Sequence, residues 1–111
     1  MPIIELNQLK DEFVTPKHST AFGKLITGEH VEIGILSYKA GEGAKEHSHP
    51  HEQIAICLKG RSRVTLNGEQ FEIGPGQAVV IPPNVSHSTF ILEDSEIISA
   101  KSIVDGVGHR I

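Results

Sequence analysis

Turn residues, rather than any periodic helical face, set the rhythm of this chain. Asn67-Gly68, Gly74-Pro75-Gly76 and Pro82-Pro83-Asn84 crowd into one short span. Asn-Gly is the strongest short-range hairpin signal, because a two-residue turn needs positive φ at both positions. Arg63–Leu66 and Gln70–Ile73 therefore read as the two strands of a hairpin. Ala21–Thr27 and Val31–Lys39 flank Gly28-Glu29 in the same way, with Val31, Ile33 and Ile35 on one face and Leu36 and Tyr38 on the other. Gln53–Lys59 is an almost unbroken apolar run, the pattern of a strand covered on both faces, and Gly60 ends it. Gln77–Ile81, Ser86–Leu92 and Glu96–Ile103 complete the set, and the Thr15-Pro16 pair keeps Phe13–Lys17 out of the helical region. Met1–Lys10 reads as an edge strand covered by a partner. Eight or nine short strands and no sustained helical period predict an all-β sandwich or barrel.

The 111 residues are enough for one domain that buries its core without staples. Residues 1–30 read as N-terminal strands and a dimer-contact segment, and 31–100 as the barrel. A net charge of -4 and a pI near 5.9 speak against nucleic acid, which demands clustered Lys and Arg. No apolar run is long enough for a membrane span and no basic-then-apolar leader opens the chain, so the expected compartment is the cytoplasm. The single Cys57 rules out an intrachain disulfide.

Between Gly41 and Gly60 lies the run His47-Ser48-His49-Pro50-His51-Glu52-Gln53. On a strand, side chains alternate, so His47 and His49 aim at one point. Gln53 re-enters the same neighbourhood, and a distant strand can add a fourth donor, for which His87 is the best candidate. Clustered imidazoles of this kind mark metal sites.

These segments resemble the paired motifs of the cupin superfamily. Gly41, His47, His49, Gln53 and Gly60 keep the spacing of its first motif, with Gln53 where the family usually has Glu. Gly76, Pro82, Asn84 and His87 keep that of the second, with Asn84 replacing a glycine and Ile91 the final Asn. The segment between motifs, Arg61–Pro75, is short, and the resemblance spans roughly Val31 to Ala100. It implies a double-stranded β-helix, the jelly-roll cupin barrel, with one divalent metal held by His47, His49, Gln53 and His87. Imidazole and amide donors leave Zn, Ni, Fe, Mn or Cu open. With Gln for Glu all four donors are neutral, so the site keeps the ion's positive charge and favours a small anionic partner. Other cupins favour a homodimer, and the outward residues Ile54, Ile56, Leu58, Phe90 and Leu92 need a cover from the N-terminal segment, a partner subunit or both.

The function expected from this resemblance is a metal-dependent isomerase, lyase or oxygenase acting on a small anionic carbonyl, enol or sugar acid. The His-Ser-His-Pro-His-Glu-Gln run looks much like that of cupins that open unsaturated uronates in pectin and alginate breakdown. Those enzymes use an acid, an aromatic and an arginine on the last strand, whereas Ala100-Lys101-Ser102-Ile103-Val104 offers none of these. A non-catalytic binding or sensing module is the third reading. For proton transfer the candidates are His51, otherwise a loop histidine, and Tyr38, otherwise a packed aromatic. For substrate contact they are Arg63, with Lys59 beside it, and Cys57. The plain readings are surface salt bridging for the two cations and a small buried hydrophobe for the cysteine. His18, His30 and His109 read as ordinary surface residues.

Overall fold

The computed structural model describes residues 3–111. Its strands are β1 (Glu12–Phe13), β2 (Phe22–Thr27), β3 (Val31–Tyr38), β4 (Gly43–His47), β5 (Gln53–Leu66), β6 (Glu69–Ile73), β7 (Ala78–Ile81) and β8 (His87–Ser102), all paired antiparallel. Two long strands organise the rest. β5 and β8 pair along their whole length, from Gln53 opposite Lys101 to Leu66 opposite His87. At the first end β3 joins β8 and β7 joins β5; at the other, β4 joins β8 and β6 joins β5. The pair shifts register between Cys57 and Ser62. Bulges of this kind bend a strand, and here they fold one half of the sheet over the other into the jelly-roll, double-stranded β-helix.

Gly60 is the pivot of that bend. Its φ is 89°, and a Cβ there would collide with the Asp94 carbonyl and the Ser95 hydroxyl. The glycine expected to end a strand instead lets β5 turn a corner and continue. Ser86–Leu92 and Glu96–Ile103 are likewise parts of one strand, β8. The Asn67-Gly68 hairpin forms as expected, with φ of 47° and 84° and Leu66 facing Glu69.

The apolar run of β5 is covered on one face only. Ile54, Ile56 and Leu58 remain 37%, 38% and 52% exposed, while Cys57 is fully buried against Val64 and Ile73. The fold has two layers, so a strand has an inner face to fill and an outer one with no layer above it. A second cluster, Val14, Ala21, Leu25 and Leu36, fills the inside under β2 and β3. The N-terminal segment forms no edge strand in its described part: Leu6–Gln8 is a single 3-10 turn, and pairing begins at Glu12. Met1 and Pro2 lie outside the described residues. Among the described residues no helix is long and apolar enough to cross a membrane.

Candidate metal centre

β4 ends at His47, which stands opposite His87 at the start of β8. His49 lies beyond the strand, so strand alternation does not align it with His47. A loop does so instead: the Asn84 N–H donates to the His49 carbonyl at 2.8 Å, tying the Pro82-Pro83-Asn84 turn to the histidine run. Asn84 adopts φ 64°, the left-handed region that asparagine enters more readily than other side chains. The three rings converge, with centroids 4.4 Å apart for His47 and His87, 4.8 Å for His49 and His87, and 5.6 Å for His47 and His49. Their candidate ligand atoms all lie within 4.8 Å of one another, so the group could hold a metal ion.

Hydrogen bonds set the tautomer of each ring. Nδ1 of His47, His49 and His87 lies 2.6, 3.1 and 2.9 Å from the carbonyls of Lys45, His51 and Val85. A carbonyl only accepts, so each Nδ1 carries the proton and each Nε2 presents a lone pair. Metal-ligating histidines are commonly fixed in this way. Burial, with the Lys101 charge nearby, depresses all three pKa values, that of His49 to about 4, so the rings are neutral near pH 7.

Gln53 is oriented by side chains. Its Nε2 donates to Ser99 Oγ at 3.0 Å; Ser99 Oγ lies 3.0 Å from Nε2 of His109, whose Nδ1 meets Glu32 Oε1 at 2.7 Å. Burial above all depresses the pKa of His109 to about 4, despite the opposing pull of Glu32. The neutral ring must donate from Nδ1 to the carboxylate and accept at Nε2. Ser99 then donates to His109 and accepts from Gln53, which leaves Gln53 Oε1 directed at His49 Nε2, 3.1 Å away. Two lone pairs thus face each other with no proton between them. Two ligands bound at about 2.1 Å and at right angles on one ion stand about 3.0 Å apart, so the donor set fits a metal.

The centre borders a cavity of about 60 Å³ whose wall includes His47, Gln53, His87, Ser99, Lys101 and His109. Lys101 is 3% exposed, and burial depresses its pKa to about 8 against the raising influence of Glu32. Glu32 is itself buried and accepts from Thr27 Oγ1 at 2.6 Å and from the His109 N–H at 2.6 Å. Burial raises its pKa, but these bonds together outweigh that and the net shift is downward.

The other candidates are scattered. Tyr38 borders the cavity, 3.3 Å from Ser19 Oγ, and burial raises its pKa, so the phenol stays protonated. His51 is neither at the mouth nor in an exposed loop: it is 2% exposed behind His49 and donates from Nε2 to the Val107 carbonyl at 2.7 Å. Its phase was unreadable because Pro50 interrupts the alternation. Cys57 points inward, yet it lies four residues along β5 from Gln53, about 13 Å at the usual rise, and does not border the cavity. Arg63 points outward, its guanidinium 5.8 Å from the Phe90 ring centre, and makes no ion pair among the described residues. Lys59 is exposed on the outside as well. Of the three histidines read as surface residues, only His30 is one. His18 is half-buried and stacks on His47 with centroids 4.7 Å apart, and His109 is 2% exposed. His109 follows the last strand, where no periodicity reports burial.

The cupin-domain family profile matches residues 34–99. The chain belongs to the cupin family. Polyketide synthase CurC of Streptomyces cyaneus is 32% identical over 65 residues, 58% of this chain and 42% of its own length. The chain spans less than half the length of the curated relatives it matches here. Among solved structures, KdgF from Halomonas sp. superposes with a TM-score of 0.78 at 25% identity, covering 92% of this chain and 93% of that one. An RmlC-like cupin from Shewanella frigidimarina gives 0.81 at 16% identity, with 95% and 93% covered.

Proposed function

We propose that this cupin binds one divalent metal through Nε2 of His47, His49 and His87 and Oε1 of Gln53. We read it as a metal-dependent enzyme acting on a small anionic carbonyl, enol or sugar acid by isomerase, lyase or oxygenase chemistry. The observation that carries this reading is the convergence of His47, His49 and His87, whose candidate ligand atoms lie within 4.8 Å of one another, with Gln53 Oε1 3.1 Å from His49 Nε2. A cation coordinated by both of the latter atoms removes the repulsion between their lone pairs. Zn, Ni, Fe, Mn and Cu all suit such donors. A divalent ion supplies Lewis-acid polarisation of a bound oxygen, and neutral donors leave its charge available to an anion. Tyr38, held protonated, can donate a hydrogen bond or a proton at the cavity wall. The likeness to a protein named polyketide synthase supports an enolisable carbonyl as substrate.

Among the described residues no Asp or Glu lines the cavity. The titratable side chains that do line it are Tyr38 and Lys101, both mainly protonated near pH 7, and histidines committed to the metal or to Ser99 and Glu32, so a binding module without turnover is the second reading. The same lack of an acid keeps uronate ring opening behind the broader reading, since Lys101 stands on the last strand where an acid is expected. A homodimer through the outer face of Ile54, Ile56 and Leu58 completes the proposal.

Elemental analysis of untagged protein, purified without added metal or chelator, tests it. About one equivalent of metal is expected. Iron, manganese or copper directs the search to oxygen uptake with diketones, and zinc or nickel to isomerisation of sugar acids. No metal, even after incubation with each of the five ions, overturns the reading.

A further inference from the structure

Among the described residues, Lys101 is a buried cation without a partner. It is 3% exposed, and its sheet neighbours in register are Glu32 on β3 and Gln53 on β5. Both are committed elsewhere: the Glu32 oxygens to Thr27 and His109, the Gln53 amide to Ser99. Among the described residues no carboxylate comes within 4.0 Å of the Lys101 ammonium, and it makes no hydrogen bond. A charge taken out of water is normally paired. Here the side chain borders the cavity shared with His47, Gln53 and His87. Its charge is felt by His47, His49, His87 and His109 alike.

We propose that Lys101 is an anion subsite: its ammonium receives a carboxylate of a small ligand whose other oxygen reaches the metal centre. This rests on the metal reading above and narrows its substrate class. A cavity of about 60 Å³ has room for a few water molecules, so what enters is a short dicarboxylate, a 2-oxo or 2-hydroxy acid, or the carboxylate end of something longer. Two cations across one small space select a ligand with two anionic or strongly accepting ends. A neutral diketone has nothing to offer the ammonium beyond a carbonyl oxygen.

The test is calorimetric titration of metal-loaded protein with malonate and with acetate near pH 7, on wild type, Lys101→Met and Lys101→Gln. Metal content, measured on the same samples, stays at that of the wild type in both variants. Malonate affinity falls at least about tenfold in both, the loss of one charge-assisted contact, and acetate affinity falls less. Lys101→Gln decides the matter if Lys101→Met fails to fold. Wild-type malonate affinity in a variant that retains its metal overturns the subsite and leaves the metal reading standing. So does the absence of malonate binding by metal-loaded wild type. A wild type that takes up no metal sinks the metal reading instead. In that protein, malonate binding that disappears in Lys101→Met still supports the subsite, and its absence overturns it.

Discussion

His47, His49 and His87 are each oriented by a main-chain carbonyl two residues away, whereas Gln53 is oriented by Ser99, 46 residues further along the chain, and through it by His109 and Glu32. The two arrangements deliver the same thing, a lone pair aimed at one point. They differ in what can undo them. A carbonyl two residues away is present whatever the side chains are, so the imidazoles keep their tautomers through most substitutions around them. The amide of Gln53 depends on a chain of side chains whose polarity starts at one buried carboxylate. The histidines make the site possible, and the relay decides which end of Gln53 it sees.

Removing a donor tests the first arrangement and has the largest effect. His47→Ala or His87→Ala loses stoichiometric metal, to below about a tenth of an equivalent by elemental analysis. The far-UV circular dichroism of a β protein survives, because neither apolar cluster includes a histidine and the paired strands do not depend on the metal. Full metal content in either variant would break the ligand assignment.

Acid attacks the relay from its far end. His109 is neutral when folded, with a pKa of about 4 against an ordinary 6.5, so the unfolded chain takes up the proton first. Stability is complete above about pH 6.5 and declines as pH falls through about 4, by about 3 kcal/mol for this residue. Glu32, whose pKa is lowered in the fold, adds a loss of the same sign at lower pH. In metal-free protein His49 shares the trend, so the comparison to make is urea unfolding of wild type and His109→Gln at pH 7 and pH 4.5. The variant shows the shallower dependence. Equal slopes would mean that folding leaves the His109 pKa unshifted; a steeper dependence in the variant would mean that His109 is protonated in the fold, and the inferred direction of the relay would reverse.

Cutting the relay in the middle has the smallest effect and sharpens the comparison most. Ser99→Ala frees the Gln53 amide to turn and removes the hydrogen-bond partner of His109 Nε2, while leaving the carbonyl bonds of His47, His49 and His87 in place. Metal affinity, measured by competition with a chelator, weakens by about tenfold, the low end for a group that positions a ligand. Substituting Glu46 or Lys45, whose side chains lie outside the centre, leaves affinity within about twofold, because the carbonyl of residue 45 persists. An equal loss in both places would erase the distinction between the two arrangements.

The same distinction explains what was legible in the sequence. The histidine run and its glycines are contiguous, and their spacing alone proposed three of the donors. His87 required a second segment, and the register of β4 with β8 brings it to the first. Strand alternation was the wrong reason for expecting His47 and His49 together, since a loop aligns them. Glu32 looked like one polar residue in an alternating strand, Lys101 like part of an unpromising strand end, and His109 like a tail residue. Each acquires its role only from cross-strand register or from the folding back of the C-terminal segment, which Thr15 secures by donating to the His109 carbonyl at 2.6 Å. Gly60 shows the same limit in the fold: it was visible as punctuation, but a bend and an end look alike until the partner strand is in place.

Cys57 gives that bend a further consequence. The chain's single thiol has no exposed surface, its Sγ lies 3.4 Å from the Lys59 carbonyl, and burial raises its pKa. A maleimide added to the native protein can react only when β5 parts from its neighbours beside Gly60. The labelling rate is therefore a built-in clock for the opening of the hinge between the two layers, and it runs without any engineered probe.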